Sequence, residues 1–379
     1  MGLQKRRGVF FVFFFLFVSF ILATGVQEWK GEIKKEEGIT VIVNPDEPIY
    51  KEPILILTKE WQIGGAEAEG EYLIERPESL AVDDEGNLYV LDSKAAVVKV
   101  YNPKGKFLRS IGRRGQGPGE LNFPLSLSLN VKKKELAIVD IRNRRISFFN
   151  LEGKFLRSIP LKIVSNKIKI DSQGNVLVHV VDRSSLELVL KRFKSDMSQG
   201  GVDIFRFPLG NPRDPFAAQM FWTVTEEDKV IVGDPRSYEI YIYDSALNLE
   251  KKIKKHFKPV KVTAAEKEEI IKRTPPEIRE SGPSYKFSEK HAAFQSFFLD
   301  DKGHLFVQTW ERTSAGQNLY DIFDPEGKFI GRVALSPHPY FRHPLDRLVK
   351  NNCLYTIEPT PDGYEVVCKY SLQWKIGNL

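Results

Sequence analysis

Short alternating runs of apolar residues, separated by turn residues, follow one another from about residue 51 onwards. In one clear unit the runs cover residues 79–83, 88–92, 97–101 and 107–111. The connections include Asp84-Glu85-Gly86-Asn87 and Asn102-Pro103-Lys104-Gly105. Asn or Asp near the start of a turn and Gly near its end are typical of tight turns between strands. The pattern therefore predicts four short antiparallel strands in this unit.

The unit is repeated along the chain. The segment Gly105-Lys106-Phe107-Leu108-Arg109-Ser110-Ile111 recurs identically at 153–159 and in a weaker form at 327–333. Repeats of about 40 to 50 residues with four strands each are typical of β-propeller blades. The first strands are predicted to begin near six positions, namely Ser79, Ser126, Lys167, Phe221, Ser296 and Asp346. We therefore predict an all-β fold, a six-bladed β-propeller over residues 51–379.

The two ends of this region complement each other. Residues 51–63 resemble a fourth strand without a blade before it, whereas the last unit shows only three strands, at 345–350, 353–358 and 364–370. Pairing of the first strand with 364–370 would remove two exposed sheet edges. The N-terminal strand is therefore predicted to close the last blade.

One interval between blades is longer than the others and carries a helix signal. Thr263-Ala264-Ala265-Glu266 has the spacing of a capping box, helix-forming residues continue to Arg273, and Pro275-Pro276 follows. We predict a helical insertion at 259–290, between the fourth and fifth blades, that could lie across one mouth of the propeller.

The N-terminus has the pattern of an export signal. Lys5, Arg6 and Arg7 precede an apolar run from Val9 to Ala23, which is shorter than the roughly 20 residues of a membrane span. We expect a signal peptide at 1–25, cleaved near Gly25, and a periplasmic or secreted protein. An uncleaved leader that tethers the protein to the membrane is the alternative. Residues 26–50 are rich in Lys and Glu and are interpreted as a polar tether.

The chain resembles the NHL-repeat and TolB-like six-bladed propellers of the exported bacterial type. The segment Ile111-Gly112-Arg113-Arg114-Gly115-Gln116-Gly117-Pro118-Gly119-Glu120-Leu121, followed by Phe123-Pro124, matches the family's loop between blades. Asp140, Asn143, Arg145 and Ile146 match its Asp-x-x-Asn-x-Arg-Ile turn. The resemblance implies protein or sugar binding, nucleic-acid binding, or metal-assisted lyase or lactonase chemistry.

The residues themselves favour binding over catalysis. The formal net charge of +6 falls to +3 without the three basic leader residues, which is little for a nucleic-acid-binding face. No two of the six His residues are spaced as His-x-His or His-x-x-x-His, the spacings typical of paired metal ligands. No Gly-x-Ser-x-Gly motif is present either. We predict no catalytic residue, metal or other cofactor. Asp92, Asp140 and Asp234, which end equivalent strands, are interpreted as turn caps.

Aromatic, Arg and His residues before the first strands are candidates for a binding rim. Side chains of these types in a concave mouth favour recognition of a ligand, although some of them could simply pack between blades. The candidate rim residues are Arg76, Phe123, Trp222, His291 and Arg342.

The two cysteines fall in the last predicted hairpin. Pairing Tyr355 with Val366 keeps the apolar faces together, leaves 358–363 as the loop, and places Cys353 opposite Cys368. We therefore predict a disulfide between Cys353 and Cys368, with two buried free thiols as the alternative.

The resulting hypothesis is a binding or scaffold protein outside the cytoplasm, which recognises a protein or polysaccharide of the cell envelope through one rim. We expect a monomer that does not bind nucleic acid and that contacts the membrane only if the leader is retained. The alternative is a metal-assisted lyase or lactonase that uses the central channel.

Overall fold

Six blades of four antiparallel strands form a closed ring, as predicted, and two N-terminal strands extend the sheet of one blade to six strands. A computed structural model describes residues 28–163, 165, 167–198, 200–281, 284–335 and 347–375. The predicted signal peptide and the rim candidate Arg342 lie outside these residues. In each blade the strands are named A to D, from the centre of the ring outwards.

The strands have the following bounds. Before the first complete blade lie β1 (Glu32–Glu36), β2 (Ile39–Asn44) and β3 (Leu55–Gly64). Blade one contains β4 (Pro77–Val82), β5 (Leu88–Asp92), β6 (Val97–Tyr101) and β7 (Phe107–Ile111), and a short parallel pair follows, β8 (Arg113–Arg114) with β9 (Glu120–Leu121). Blade two contains β10 (Pro124–Asn130), β11 (Glu135–Asp140), β12 (Arg145–Asn150) and β13 (Phe155–Pro160). Blade three contains β14 (Ile168–Ile170), β15 (Val176–Asp182), β16 (Glu187–Phe193) and β17 (Val202–Pro208).

The second half of the ring is built in the same way. Blade four contains β18 (Phe221–Val224), β19 (Val230–Asp234), β20 (Glu239–Tyr243) and β21 (Leu249–Lys255). Blade five contains β22 (Ser296–Leu299), β23 (Leu305–Arg312), β24 (Asn318–Phe323) and β25 (Phe329–Leu335). Blade six contains β26 (Leu348–Lys350), β27 (Cys353–Pro359), β28 (Glu365–Trp374) and, as its D strand, β3.

Apolar residues are buried between neighbouring blades rather than in one central core. Leu91 and Val98 of blade one pack with Leu127 and Ile138 of blade two, and equivalent clusters lie at the other blade junctions. Each A strand also contacts the A strands of both neighbouring blades around the ring. Because every blade covers the apolar faces of its neighbours, closure of the ring buries these faces at every junction.

The closure follows the prediction. β3 pairs antiparallel with β28, with Ile63 opposite Val367 and Leu55 opposite Trp374. The first and last parts of the propeller therefore share one sheet. This pairing satisfies backbone groups that would otherwise lie along two open edges.

The helical insertion is also present. Helix α1 (Ala264–Arg273) begins after Thr263, whose side chain and that of Glu266 form the predicted capping box. A second helix, α2 (Pro276–Ser281), starts at Pro276, so the second proline begins a new helix. No helix in the described part of the chain is long and apolar enough to span a membrane.

The N-terminal segment differs from the expected polar tether. β1 and β2 form a hairpin, and β2 pairs in parallel with β21, the D strand of blade four. Val41 and Ile42 are 1% exposed, and Ile42 joins the cluster between blades four and five. The charged residues of 32–36 remain exposed on the outermost strand, where charge discourages pairing with another chain.

A single buried asparagine anchors this hairpin. The Asn44 amide donates to the carbonyl oxygens of Lys254 and Gly327, and its oxygen accepts from Trp29 Nε1 and Phe329 N. The chain then continues along the D strand of blade five, where the amides of residues 49 and 50 donate to β25 carbonyls. Residues 29–50 thus form a strap around the outside of blades four and five.

The predicted disulfide is not formed. Cys353 lies opposite Ser371 and Cys368 lies opposite Thr356. The two cysteines are therefore offset by three residues along the pair, about 10 Å, and point to opposite faces, so they cannot bridge. The cause is a longer hairpin than expected, because strand pairing continues to Pro359 and Glu365 and the turn closes between Thr360 and Gly363.

Candidate ligand-binding site

The two faces of the ring differ in the connections that they carry. We call the face with the D–A and B–C connections the D–A face, and the face with the A–B and C–D connections the A–B face. The A strands run from the D–A face to the A–B face and surround a central cavity of about 740 Å³. Its size lies within the usual range of small-molecule sites.

The wall of the cavity is built mainly by blades three to six. Phe216, Trp222 and Trp310 supply aromatic rings, and Gln219, Gln295 and Gln308 supply amides. Lys167, Phe221 and Ser296, three of the six predicted A-strand positions, line the cavity as expected for innermost residues. Leu80 contributes the lining from blade one.

In blades one to three, serine hydroxyls on the A strands accept hydrogen bonds from backbone amides of the neighbouring A strand. Ser79 Oγ accepts a hydrogen bond from Leu127 N at 3.3 Å, and Ser128 Oγ accepts one from Ile170 N at 2.9 Å. Ser126 makes the equivalent, longer contact with Ile168 N, at 3.5 Å. These bonds satisfy backbone amides that have no strand partner on the axis. The predicted positions Ser79 and Ser126 are therefore structural.

Cations lie on opposite walls of the cavity. Lys167 and Lys169 come from blade three, and Arg347 comes from blade six, directly across a six-bladed ring. Lys167 Nζ donates to Trp222 O at 2.8 Å and lies 5.2 Å from the centre of the Trp222 ring. Within the described residues, no carboxylate lies within ion-pair distance of Lys169.

A hydrogen-bonded network holds the wall opposite blade three. The Arg347 guanidinium donates to Tyr320 Oη, which donates to Gln308 Oε1 at 2.8 Å. Ser296 Oγ donates to the same oxygen, at 2.9 Å, and Gln308 Nε2 donates to Gln295 Oε1 at 3.3 Å. Burial raises the pKa of Tyr320 to about 12 against the opposing effect of Arg347, so the phenol stays protonated and remains a donor. The orientation of these polar groups is thus fixed before a ligand binds.

The A–B end of the cavity is crossed by an ion pair. Lys350 Nζ of blade six lies 2.6 Å from Glu226 of blade four and 3.0 Å from Asp84 of blade one. Burial alone would lower the pKa of Lys350, but its hydrogen bonds to Glu226 and Asp84 outweigh this effect and raise it. Asp301 also accepts from Asn351 N, at 2.8 Å. These contacts connect the turns of four blades at this end.

Two of the predicted rim residues come together on the D–A face. The Arg76 guanidinium lies 5.9 Å from the centre of the Phe123 ring, and that of Arg142 lies 5.2 Å from it. Phe123 has a φ of +62°, in the left-handed region that is costly for a residue with a side chain. Strained, half-exposed residues of this kind are frequently found at functional sites. This group lies beside the cavity and does not line it.

The other predicted rim residues lie around the cavity in blades four and five. Trp222 is 2% exposed and forms part of the wall, with its Nε1 donating to His179 Nδ1 at 3.1 Å. His291 lies behind the wall and stacks on Trp310 with 3.8 Å between ring centres. It faces Glu266 of helix α1 at 3.3 Å. Burial lowers the pKa of His291, and Glu266 offsets this only in part.

The insertion packs against the same part of the rim. Ile270 of α1 lies in a cluster with Phe216, Val262, Phe287 and Trp310. Helix α1 therefore supports two of the aromatic residues that line the cavity, although no residue of α1 itself lines it. No described residue of the 259–290 insertion lines the cavity.

Three residues that sequence reasoning did not single out are important here. Lys169, Arg347 and Gln308 line the cavity, but only one position for each A strand had been considered, and Gln308 belongs to the B strand β23. Asp346, the position considered in blade six, lies outside the described residues. The alternation of residues 167–170, with Lys at every second position, could have identified Lys169 as a second inward-facing cation.

Asp92 and Asp234 cap the turns that follow them, as predicted, whereas Asp140 binds a backbone amide of the preceding connection and only the side chain of Asn143 in the following turn. Asp92 accepts from Ala95 N at 3.0 Å and also from Glu75 N at 2.9 Å. Asp140 accepts from Asn122 N at 2.8 Å, and Asp234 accepts from Arg236 N at 3.0 Å. Among the residues described, no group of three or more His, Cys, Asp or Glu side chains is arranged to hold a metal ion.

A sequence profile for a six-bladed β-propeller family, DUF5128, matches residues 67–321. The chain belongs to this DUF5128 family. The match covers blades one to four and most of blade five, including the residues of the cavity wall from Lys167 to Trp310. No curated protein matches the chain in sequence.

Solved structures support the same fold. A protein of Bacteroides fragilis described as exported has 14% sequence identity and a TM-score of 0.54, with 89% of this chain and 100% of the other covered. A DUF4221 family member from Bacteroides vulgatus has 9% identity and a TM-score of 0.51, with 84% and 99% covered. At these identities the likeness concerns the fold alone.

Proposed function

We propose that this DUF5128 protein acts outside the cytoplasm as a binding protein that recognises a polysaccharide through its D–A face. The observation that carries the proposal is the asymmetry of the cavity. Its D–A end is lined by aromatic rings, amides and cations, whereas its A–B end is crossed by Lys350 and Glu226. A ligand that enters the cavity would therefore enter from the D–A face.

A saccharide suits this mouth better than a folded protein. The half-buried Trp310 ring, one face of which is covered by His291, offers its remaining apolar surface to the C–H groups of a sugar ring, while amides and hydroxyls can bond its hydroxyl groups. The site is concave and narrow, as small-ligand sites are, whereas a protein partner would require an interface of roughly 800 Å² on each side. A protein bound across the Arg76–Phe123–Arg142 group remains the second outcome of the test.

The location outside the cytoplasm rests on two observations. The basic and apolar pattern of residues 5–23 is that of a signal peptide, and a protein with a similar fold is described as exported. The loop at 111–124 supports an NHL-like repeat as the finer description of these blades.

Blocking one mouth at a time tests the proposal. Gln219 is exposed at the D–A mouth, and Gln173 is exposed in a turn of the A–B face. The full-length protein and both variants would be incubated with an array of bacterial envelope polysaccharides. We expect Q219W to lose binding and Q173W, the matched control, to retain it.

The opposite results have defined meanings. Equal binding by Q219W and the wild type would show that the D–A mouth is not the site. Capture of an envelope protein in place of any polysaccharide, abolished by substitution of Arg76 and Arg142, would show that the partner is a protein.

A further inference from the structure

We propose that the central cavity binds a carboxylate-bearing sugar, a hexuronate unit at the end of a saccharide chain, between the lysines of blade three and Arg347 of blade six. This inference rests on the proposed function and names the ligand class that the function leaves open. It depends on the charge of the cavity, the chemistry of its neutral lining and the closure of its far end.

The charges in the cavity favour an anion. Lys167 and Lys169 face Arg347 from the opposite wall, and every carboxylate that lines the cavity in the described chain belongs to an A–B connection. There are four of these carboxylates: Glu226, Asp300 and Asp301 already bind Lys350, His304 and the amide of Asn351, respectively, and Glu227 is the fourth. Cations that converge in a concave site with low-dielectric walls create a positive potential that attracts an anion. A carboxylate can accept charge-assisted hydrogen bonds from the cations of either wall.

The neutral lining favours a sugar over a simple anion. Gln295, Gln308 and Ser296 are linked to one another, and the remaining donor and acceptor positions of Gln amides and Ser hydroxyls can bond sugar hydroxyls. Trp310, which lies in edge contact with the buried Phe216 at 6.1 Å between ring centres, adds apolar surface at the mouth. A free carboxylate without hydroxyl groups would use only the cations.

The closed A–B end favours the end of a chain over its interior. A polysaccharide threaded through the ring would have to displace Lys350 from Glu226 and Asp84. These contacts obstruct passage through the A–B end, which favours a terminal unit or a short oligosaccharide over the interior of a chain.

Calorimetric titration of the full-length protein tests the ligand class. The probes are trigalacturonate, a trisaccharide with a terminal glucuronate, neutral galactotriose, citrate and a hexaglutamate peptide. We expect at least one uronate trisaccharide to bind about tenfold or more tightly than galactotriose, citrate or the peptide.

Two matched substitutions locate the site. K169Q removes a cation of the cavity, and K154Q makes the same change at an exposed turn on the A–B face. We expect K169Q to weaken uronate binding about tenfold or more and K154Q to leave it unchanged. Circular dichroism spectra and unfolding midpoints of the variants would show that both are folded.

Several results would overturn the inference. These are the absence of binding by both uronate trisaccharides, equal binding of galactotriose, equal or tighter binding of citrate or hexaglutamate, and unchanged uronate binding by K169Q. The proposed function would survive them if Q219W still abolished binding of an envelope polysaccharide. A failure of the proposed function is therefore distinguishable from a failure of the uronate assignment.

Discussion

The two ends of the central cavity are built from the same six blades but from different connections. At the A–B end, short turns bring Lys350, Glu226 and Asp84 together, and the lysine forms ion pairs with both carboxylates. At the D–A end, long connections place aromatic rings and amides around the mouth, and the insertion supports them from outside. The comparison shows that the length of the connections, more than the blades, decides which side chains surround each end of the cavity.

The largest expected effect concerns the closed end. Lys350→Met would leave Glu226 and Asp84 without their cation, although both carboxylates are more than half exposed, which reduces the cost. We expect a loss of about 2 kcal/mol in the free energy of unfolding, measured by urea titration. Lys104→Met, at an exposed turn on the same face, should cost little. Equal costs for the two variants would contradict a closing role for Lys350.

The next effect concerns strain at the rim of the open end. Because Phe123 has a φ of +62°, Phe123→Gly should be more stable than Phe123→Ala by about 1 kcal/mol, although both remove the same ring. Thermal and urea unfolding of the two variants measure the difference. If the alanine variant were as stable as the glycine variant, the backbone at this position would not be strained.

The two ends should also respond to pH with opposite signs. Burial lowers the pKa of His291 below its usual value in the folded protein, and Arg312 acts in the same direction, whereas Glu266 and Asp214 oppose it. The unfolded chain therefore binds a proton more readily, and stability should fall as the pH decreases below about 6.5. The pKa of Lys350 is raised, so its contribution is complete below about 10.5 and is lost as the pH rises through the folded value.

Unfolding midpoints between pH 5 and pH 8 test the acid side. His291→Gln should reduce the loss of stability on acidification by less than about 1 kcal/mol. The reason is that the variant lacks the imidazole whose pKa is lowered on folding. His256→Gln, at an exposed position, should leave the slope unchanged. Identical slopes for wild type and His291→Gln would show that His291 does not contribute.

The smallest effect concerns the cysteines of blade six. Because Cys353 and Cys368 do not lie opposite each other in the strand pair, a reductant should not change the unfolding midpoint. Both thiols should also react with an alkylating reagent when the protein is unfolded without reductant. If neither thiol reacted until a reductant was added, the result would show that the two cysteines form a disulfide.

Local sequence patterns predicted the features that depend on near neighbours. The repeat at 105–111 and 153–159 reflects C–D turns and D strands that every blade needs, and Thr263 with Glu266 marks the start of α1. The closing strand was also predictable, because an unpaired fourth strand at one end matched a missing strand at the other.

Features that depend on distant partners were not predicted. The parallel pairing of β2 with β21 joins residues about 200 positions apart, and nothing in the charged segment around it indicates that partner. The turn Glu37-Gly38, with φ values of +49° and +85°, is a local hairpin signal that was available. Thr360-Pro361-Asp362-Gly363 similarly repeats the turn chemistry of 102–105 and would have given the correct register of the last hairpin.

The most direct test of the account is a crystal structure of the full-length protein with trigalacturonate. We predict a uronate unit between Lys169 and Arg347, with the rest of the trisaccharide extending past Trp310 towards the D–A face. A trisaccharide bound at the A–B face or on the outside of the blades, with the cavity unoccupied, would contradict it.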